Sequence, residues 1–245
     1  MADPILKLDH IVAGYDGSDV LKGVDLEIQT ESITCIVGPN GAGKSTVLRT
    51  ISGLIRPRKG DILFNGRSIV GMNPKNILTL GIAQVPQNRS LFPDISVRAN
   101  VRLGAYILND RSLVQKRLDE VEELFPVVKE RASDKAGDLS GGQQKLVEFA
   151  RALMLDPCLV LLDEPSMGLD PKTLKQVLDT ISLMNKNGRT VLLVEQNVRA
   201  GLGIASRGVV MENGQVRLEG TSQEILGNSQ ISHLYLGGTL APQGA

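Results

Sequence analysis

Apolar residues fall into three textures along the chain. Continuous runs at Cys35-Ile36-Val37, Leu159-Val160-Leu161-Leu162 and Thr190–Glu195 leave no polar face, which predicts strands buried on both sides as in a parallel sheet. Alternation of Val24, Leu26 and Ile28 with Asp25, Glu27 and Gln29 predicts a half-buried antiparallel sheet, with weaker strand signals over Ile5–Val12. Helical spacing recurs at Val114, Leu118, Val121 and Phe125, at Leu146, Phe149, Ala150 and Leu153, and at Leu174, Val177, Leu178 and Ile181.

Turn and cap residues divide these textures into elements. Asn65-Gly66 and Asn213-Gly214 each sit between short apolar runs and predict hairpins, while Ile82–Val85 is a short strand stopped by Pro86-Gln87-Asn88. Helix starts are marked by Ser112 with Gln115, Ser140, Asp170-Pro171 and Thr221 with Glu224, and Gly188 is a stop. From about Asn88 to Asp156 the pattern is helical throughout. The expected organisation is one α/β domain over 1–237, with a mostly parallel sheet core at about 1–87 and 157–237, an antiparallel β subdomain, and an inserted helical subdomain at about 88–156. Residues 238–245 read as a mobile end.

Composition narrows the possibilities. With 245 residues and 42% hydrophobic the chain can bury a substantial core, and 27 basic against 27 acidic residues gives no general attraction to nucleic acid or anionic membrane. No apolar run approaches the roughly 20 residues of a membrane span, and Met1-Ala2-Asp3-Pro4 lacks the start of a signal peptide. If the protein serves a membrane, other chains cross it. Cys35 and Cys158 lie in apolar runs and read as two buried free thiols of a reducing cytosol. His10 and His233 alone give little material for a histidine-based metal site or triad.

The chemistry centres on Gly38-Pro39-Asn40-Gly41-Ala42-Gly43-Lys44-Ser45-Thr46, a glycine loop between a strand and a helix. This spacing turns backbone N–H groups around a phosphate chain, lets Lys44 reach the β- and γ-phosphates, and offers the Ser45 hydroxyl to Mg²⁺ at the positive end of a helix dipole. The ligand that uses all three devices is a nucleoside triphosphate with its metal. A glycine turn between buried elements is the plain alternative. Ser140-Gly141-Gly142-Gln143 opens a helix with uncovered N–H groups and forms a second anion site. Asp163-Glu164 places two carboxylates at the carboxyl end of a buried strand, where ligands of parallel sheets bind. Tyr15 between Gly14 and Gly17 either packs locally or stacks on a ligand, and Leu91-Phe92-Pro93 is either an exposed partner site or a satellite of the core.

A glycine loop, Leu139-Ser140-Gly141-Gly142-Gln143, and an apolar strand ending Asp163-Glu164, in that order, resemble the ATP-binding cassette family of ATPases over nearly the whole chain. The resemblance implies a P-loop NTPase fold of the RecA type, with ATP and Mg²⁺ as ligands. It further implies a Walker A loop at Gly38–Thr46, a Walker B strand at Leu159–Asp163, Tyr15 against adenine, and Asp163, Ser45 and the Q-loop residue Gln87 about Mg²⁺. Glu164 would be the general base, with Lys44 spreading transition-state charge. In that family two cassettes pair head to tail, so Ser140, Gly141, Gly142 and Gln143 of one would close over ATP held by the other. The family's histidine is replaced here by Gln196, which can hydrogen-bond a γ-phosphate or water but cannot act as a base near neutral pH.

Val194-Glu195-Gln196-Asn197, Gly81–Pro86, Leu91-Phe92-Pro93 and Leu124-Phe125-Pro126 resemble the cassette subunits of bacterial branched-chain amino acid importers, in particular their second ATPase type. Two positions depart from that subgroup: Gln87, where glutamate is common, and Asp170 in Gly168-Leu169-Asp170-Pro171. The implied setting is the cytoplasmic face of the inner membrane. There the chain would pair with itself or a paralogous ATPase and contact polytopic permease subunits through Gln87–Ile95, with a periplasmic binding protein as an indirect partner. The alternative is a soluble cassette ATPase acting as an assembly factor of the iron–sulfur type.

Overall fold

A computed structural model of the protein describes residues 3–228; the end expected at 238–245 and His233 lie outside the described residues. The strands are β1 Leu6–Tyr15, β2 Ser18–Ile28, β3 Ile33–Val37, β4 Lys59–Phe64, β5 Arg67–Ser68, β6 Ile82–Val85, β7 Leu159–Asp163, β8 Thr190–Glu195, β9 Arg207–Glu212 and β10 Gln215–Thr221. The helices are α1 Lys44–Ile51, α2 Pro74–Thr79, α3 Val97–Arg102, α4 Arg111–Leu124, α5 Pro126–Glu130, α6 Gly141–Leu153, α7 Pro171–Lys186, α8 Val198–Ile204 and α9 Ser222–Gly227. None is long and apolar enough to cross a membrane among the described residues.

The continuous apolar runs become the centre of a six-stranded sheet, ordered β10-β9-β3-β8-β7-β6, in which every neighbouring pair is parallel except β9 with β10. Every residue of β3, β7 and β8 is buried because the sheet is covered on both faces. Cys35, Val37, Val160, Leu162, Val191 and Leu193 enter one core, and Ile36, Leu159, Leu161, Leu192 and Val194 enter the other. Burying each such leucine contributes roughly 1.5–3 kcal/mol, so a polar residue on either face is costly. The first core continues into Leu118, Val121, Phe125, Leu146 and Phe149 of the helical segment, and the second into α1 and the smaller sheet. Since β6 and β7 are parallel neighbours, the chain leaves the sheet after Val85, builds α3 to α6, and returns beside its point of departure.

The smaller sheet is antiparallel, in the order β2-β1-β4-β5. Its first hairpin is tighter than expected. β1 runs on to Tyr15, which pairs with Ser18, and the turn is Asp16 (φ 43°) and Gly17 (φ 84°), the two positive angles of a type I′ turn. Tyr15 is therefore a strand-end residue rather than a loop residue.

Caps agree with expectation at Ser140, Asp170 and Thr221, and differ at α4. There Asp110 accepts from the Ser112 and Leu113 N–H groups at 2.8 and 3.3 Å, and the Ser112 hydroxyl donates to the same carboxylate instead of capping with Gln115. Cys35 is buried as expected, but Cys158 is exposed, because sheet pairing begins only at Leu159.

Candidate functional site

Parallel strands deliver their carboxyl ends to one edge of the sheet, so Gly38 after β3, Pro86 and Gln87 after β6, Glu164 after β7 and Gln196 after β8 converge without any further device. A cavity of about 470 Å³ opens there, lined by Tyr15, residues 40–46, Gln87, Glu164 and Gln196, together with Val20 and Met167.

The glycine loop forms its floor. Gly43 caps α1 with φ 100°, a conformation that a side chain resists, and the first turn of α1 carries no acidic residue to oppose its dipole. Lys44 is only 4% exposed. Its ammonium donates to the carbonyls of Gly38 at 2.9 Å and Pro39 at 3.1 Å and lies 3.7 Å from Glu164. The lysine is thus held against its own loop, with its charge directed at the cavity floor.

Asp163 ends β7 and accepts the Ser45 hydroxyl at 2.8 Å. Burial raises its carboxyl above the ordinary value, against the opposing pull of Ser45, Arg49 and Lys44. Glu164 follows with φ 45°, a left-handed angle rare for glutamate and costing of the order of 1–3 kcal/mol. Its carboxylate accepts the Gln87 amide N–H at 2.8 Å, and the same Nε2 lies 3.3 Å from the Met167 sulfur. A hydroxyl beside a buried carboxylate is a pair of hard oxygen donors that fits Mg²⁺, and Gln87 lines the same cavity as Ser45. Tyr15 is 41% exposed and its hydroxyl accepts from Arg49 at 2.9 Å, leaving the ring on the cavity wall.

Ser140, Gly141, Gly142 and Gln143 do not line this cavity. Ser140 and Gly141 are exposed at the start of α6, where Ser140 and Gln143 form a reciprocal cap. Gly142 is buried against α7: a Cβ there would lie 1.9 Å from Thr173 Cγ2. One chain therefore carries a glycine-loop cavity and, elsewhere on its surface, an exposed helix start.

Sequence reasoning missed three neighbours. Val20 and Met167 line the cavity but carry no chemical signature. Glu195 is 1% exposed and receives the Ser166 N–H and hydroxyl; burial is the main cause that raises its carboxyl above the ordinary value. Its signal was a carboxylate closing an apolar strand, the same signal that marks Asp163. Leu91 and Phe92 separate in the structure: Leu91 packs on the core, whereas Phe92 is 57% exposed.

Comparison with known proteins gives the family. Residues 21–167 match the ABC transporter family. The chain is 38% identical over 234 residues to the high-affinity branched-chain amino acid transport ATP-binding protein BraG of Pseudomonas aeruginosa, covering 96% of this chain and 100% of that protein. Its fold matches the ADP conformation of an ATP-binding cassette of an ABC transporter with a TM-score of 0.87 at 28% identity, over 97% of this chain and all of that one. The dimeric structure of a bacterial ABC transporter cassette matches with a TM-score of 0.77 at 27% identity, over 89% of this chain and 98% of that one.

Proposed function

The chain belongs to the ABC transporter family, and we propose that it is the Mg-ATP-hydrolysing subunit of an importer for branched-chain or related amino acids. The observation that carries the reading is the convergence of Lys44, Ser45 and the Glu164–Gln87 pair on one cavity, with Asp163 bonded to Ser45 behind it. The importer assignment is supported by the likeness to BraG.

Tyr15 packs on adenine, and the loop amides with Lys44 hold the β- and γ-phosphates, Lys44 exchanging its carbonyl partners for phosphate oxygens. Ser45, Asp163 and Gln87 would hold Mg²⁺, which when bound would neutralise phosphate charge. Gln87 and Glu164 orient a water, Glu164 takes its proton, and the water oxygen bonds the γ-phosphorus as the β–γ bridge breaks to leave ADP and phosphate. Gln196 supplies a hydrogen bond to the γ-phosphate.

Ser140 and Gly141, with Gly142 and Gln143 behind them, complete the site of a second cassette in a head-to-tail dimer. Their exposure outside the cavity and the likeness to a dimeric cassette support this arrangement. The Gln87–Ile95 segment receives the membrane subunits. It borders a groove of about 290 Å³ whose rim includes Phe92 and Tyr106, 57% and 64% exposed. The chain then sits on the cytoplasmic face of the membrane without entering it.

The test is co-purification with uptake. A tagged chain is expected to bring down polytopic membrane proteins, and cells carrying only Glu164→Gln should lose uptake of radiolabelled leucine. Soluble partners alone, with uptake intact, would favour an assembly factor and overturn the importer reading.

A further inference from the structure

The turn that carries Glu164 is held by the last two residues of β8. The Glu164 N–H donates to the Val194 carbonyl at 2.9 Å, and the Met167 N–H donates to the Glu164 carbonyl at 3.2 Å, closing the turn. The next residue of the strand, Glu195, reaches the middle of that turn. Its Oε1 accepts the Ser166 N–H at 3.0 Å and its Oε2 accepts the Ser166 hydroxyl at 2.6 Å. Glu195 is itself fixed, because it pairs with Val37 in the sheet and α8 closes over it: a Cβ on Gly201 would lie 3.0 Å from Glu195 Cβ.

Stability alone does not call for a carboxylate here. Glu195 has no basic ion-pair partner among the described residues, and a buried charge without one is expensive. What a carboxylate offers is two acceptor oxygens, so it takes the N–H and the O–H of Ser166 together, whereas a carboxamide accepts only one of them and has to donate to the hydroxyl oxygen to keep the second contact. We propose that Glu195 is a positioning residue for hydrolysis: by holding Ser166 it keeps Glu164 at its left-handed backbone angle, facing Gln87 and Lys44. The inference rests on Glu164 being the general base.

The test compares Glu195→Ala, Glu195→Gln, Ser166→Ala and the double variant Glu195→Ala/Ser166→Ala by steady-state ATP hydrolysis, binding of a fluorescent ATP analogue, and thermal melting. Glu195→Ala should lower kcat about tenfold to a hundredfold, the scale of a misplaced catalytic group, with KM and analogue affinity nearly unchanged. Glu195→Gln should recover part of kcat through its single acceptor. Ser166→Ala should lower kcat on its own and add little to Glu195→Ala, because both act through one contact. Should Glu195→Ala fail to fold, Glu195→Gln and Ser166→Ala decide. Wild-type kcat in these folded variants overturns the inference, as does a loss of nucleotide affinity equal to the loss of kcat. Glu164→Gln serves as the control. If it is inactive while the Glu195 and Ser166 variants turn over normally, only the positioning role falls; if it hydrolyses ATP at the wild-type rate, the base assignment falls and the inference with it.

Discussion

Gly142→Ala separates two roles for a glycine at the start of α6. Its new Cβ would lie 1.9 Å from Thr173 Cγ2, far inside van der Waals contact. Thr173 cannot rotate freely, because its hydroxyl donates to Asp170 at 2.5 Å and so belongs to the cap of α7. Overpacking of this kind costs about 1–3 kcal/mol, offset in part by the roughly 1 kcal/mol that alanine gains over glycine in a helix. The net cost is then about 0–2 kcal/mol, and at its upper end it would lower Tm by about 4–8 °C in a chain of this size. Thr173→Ser removes the clashing methyl, keeps the hydroxyl, and leaves the Thr173 Cβ position 3.3 Å from the new atom. The double variant Gly142→Ala/Thr173→Ser should therefore regain most of the lost Tm in a melting scan, and ATP hydrolysis should return with it. Failure of Thr173→Ser to restore Tm would refute the packing argument. Restored stability with hydrolysis still absent would mean that Gly142 is needed for backbone approach to the nucleotide instead.

Lys44→Ala should abolish nucleotide binding or turnover, since the phosphates lose a buried point charge already aimed at them; undiminished hydrolysis would refute the site. Asp163→Asn should raise the melting temperature of the nucleotide-free protein near neutral pH while ending Mg-dependent turnover. Burial holds the Asp163 carboxyl above its ordinary 3.8, so the native state binds a proton that the unfolded state has released. Stability of the wild type therefore falls as pH rises through that window, and melts taken as pH is lowered back toward 3.8 should show the advantage of Asp163→Asn shrink. Phe92→Ser should leave basal hydrolysis unchanged, because the loop is held by its backbone, the Phe92 N–H donating to Asn100 at 2.8 Å. Transporter-stimulated hydrolysis should fall in reconstituted membranes; a matching loss of basal rate would mark Phe92 as internal packing.

What the sequence revealed was whatever rests on local chemistry or on burial of both faces of a strand. The apolar runs at β3, β7 and β8 were legible as central strands, and parallel strands gather their carboxyl ends, so Lys44, Glu164 and Gln196 line one cavity, with Asp163 bonded to Ser45 beside it. The hairpin turn at Asp16-Gly17 was overlooked because the polar Asp9-His10 pair breaks the alternation of β1, where His10 sits at φ 50° in an irregular stretch. Asp110 outcompeted Ser112 because a carboxylate can accept from two N–H groups and a hydroxyl together. Gly142 reads as a glycine that leaves helix N–H groups uncovered at an anion site, because its other demand, contact with α7, lies about thirty residues away in sequence and has no local trace. Glu195 carries the strand-end signal, but its contact has no local trace, because its partner Ser166 is brought near only by the β7–β8 pairing.

The measurement that tests the account most directly is Mg-ATP hydrolysis by Glu164→Gln beside its nucleotide affinity. The amide keeps the shape of the side chain and can still meet Gln87, which lies 2.8 Å away, but it cannot take a proton from water. The account predicts affinity close to wild type and kcat lowered by about two orders of magnitude or more, the scale of general-base catalysis, with ATP retained in a dimer on size-exclusion chromatography. A folded Glu164→Gln protein that hydrolyses ATP at the wild-type rate would contradict it.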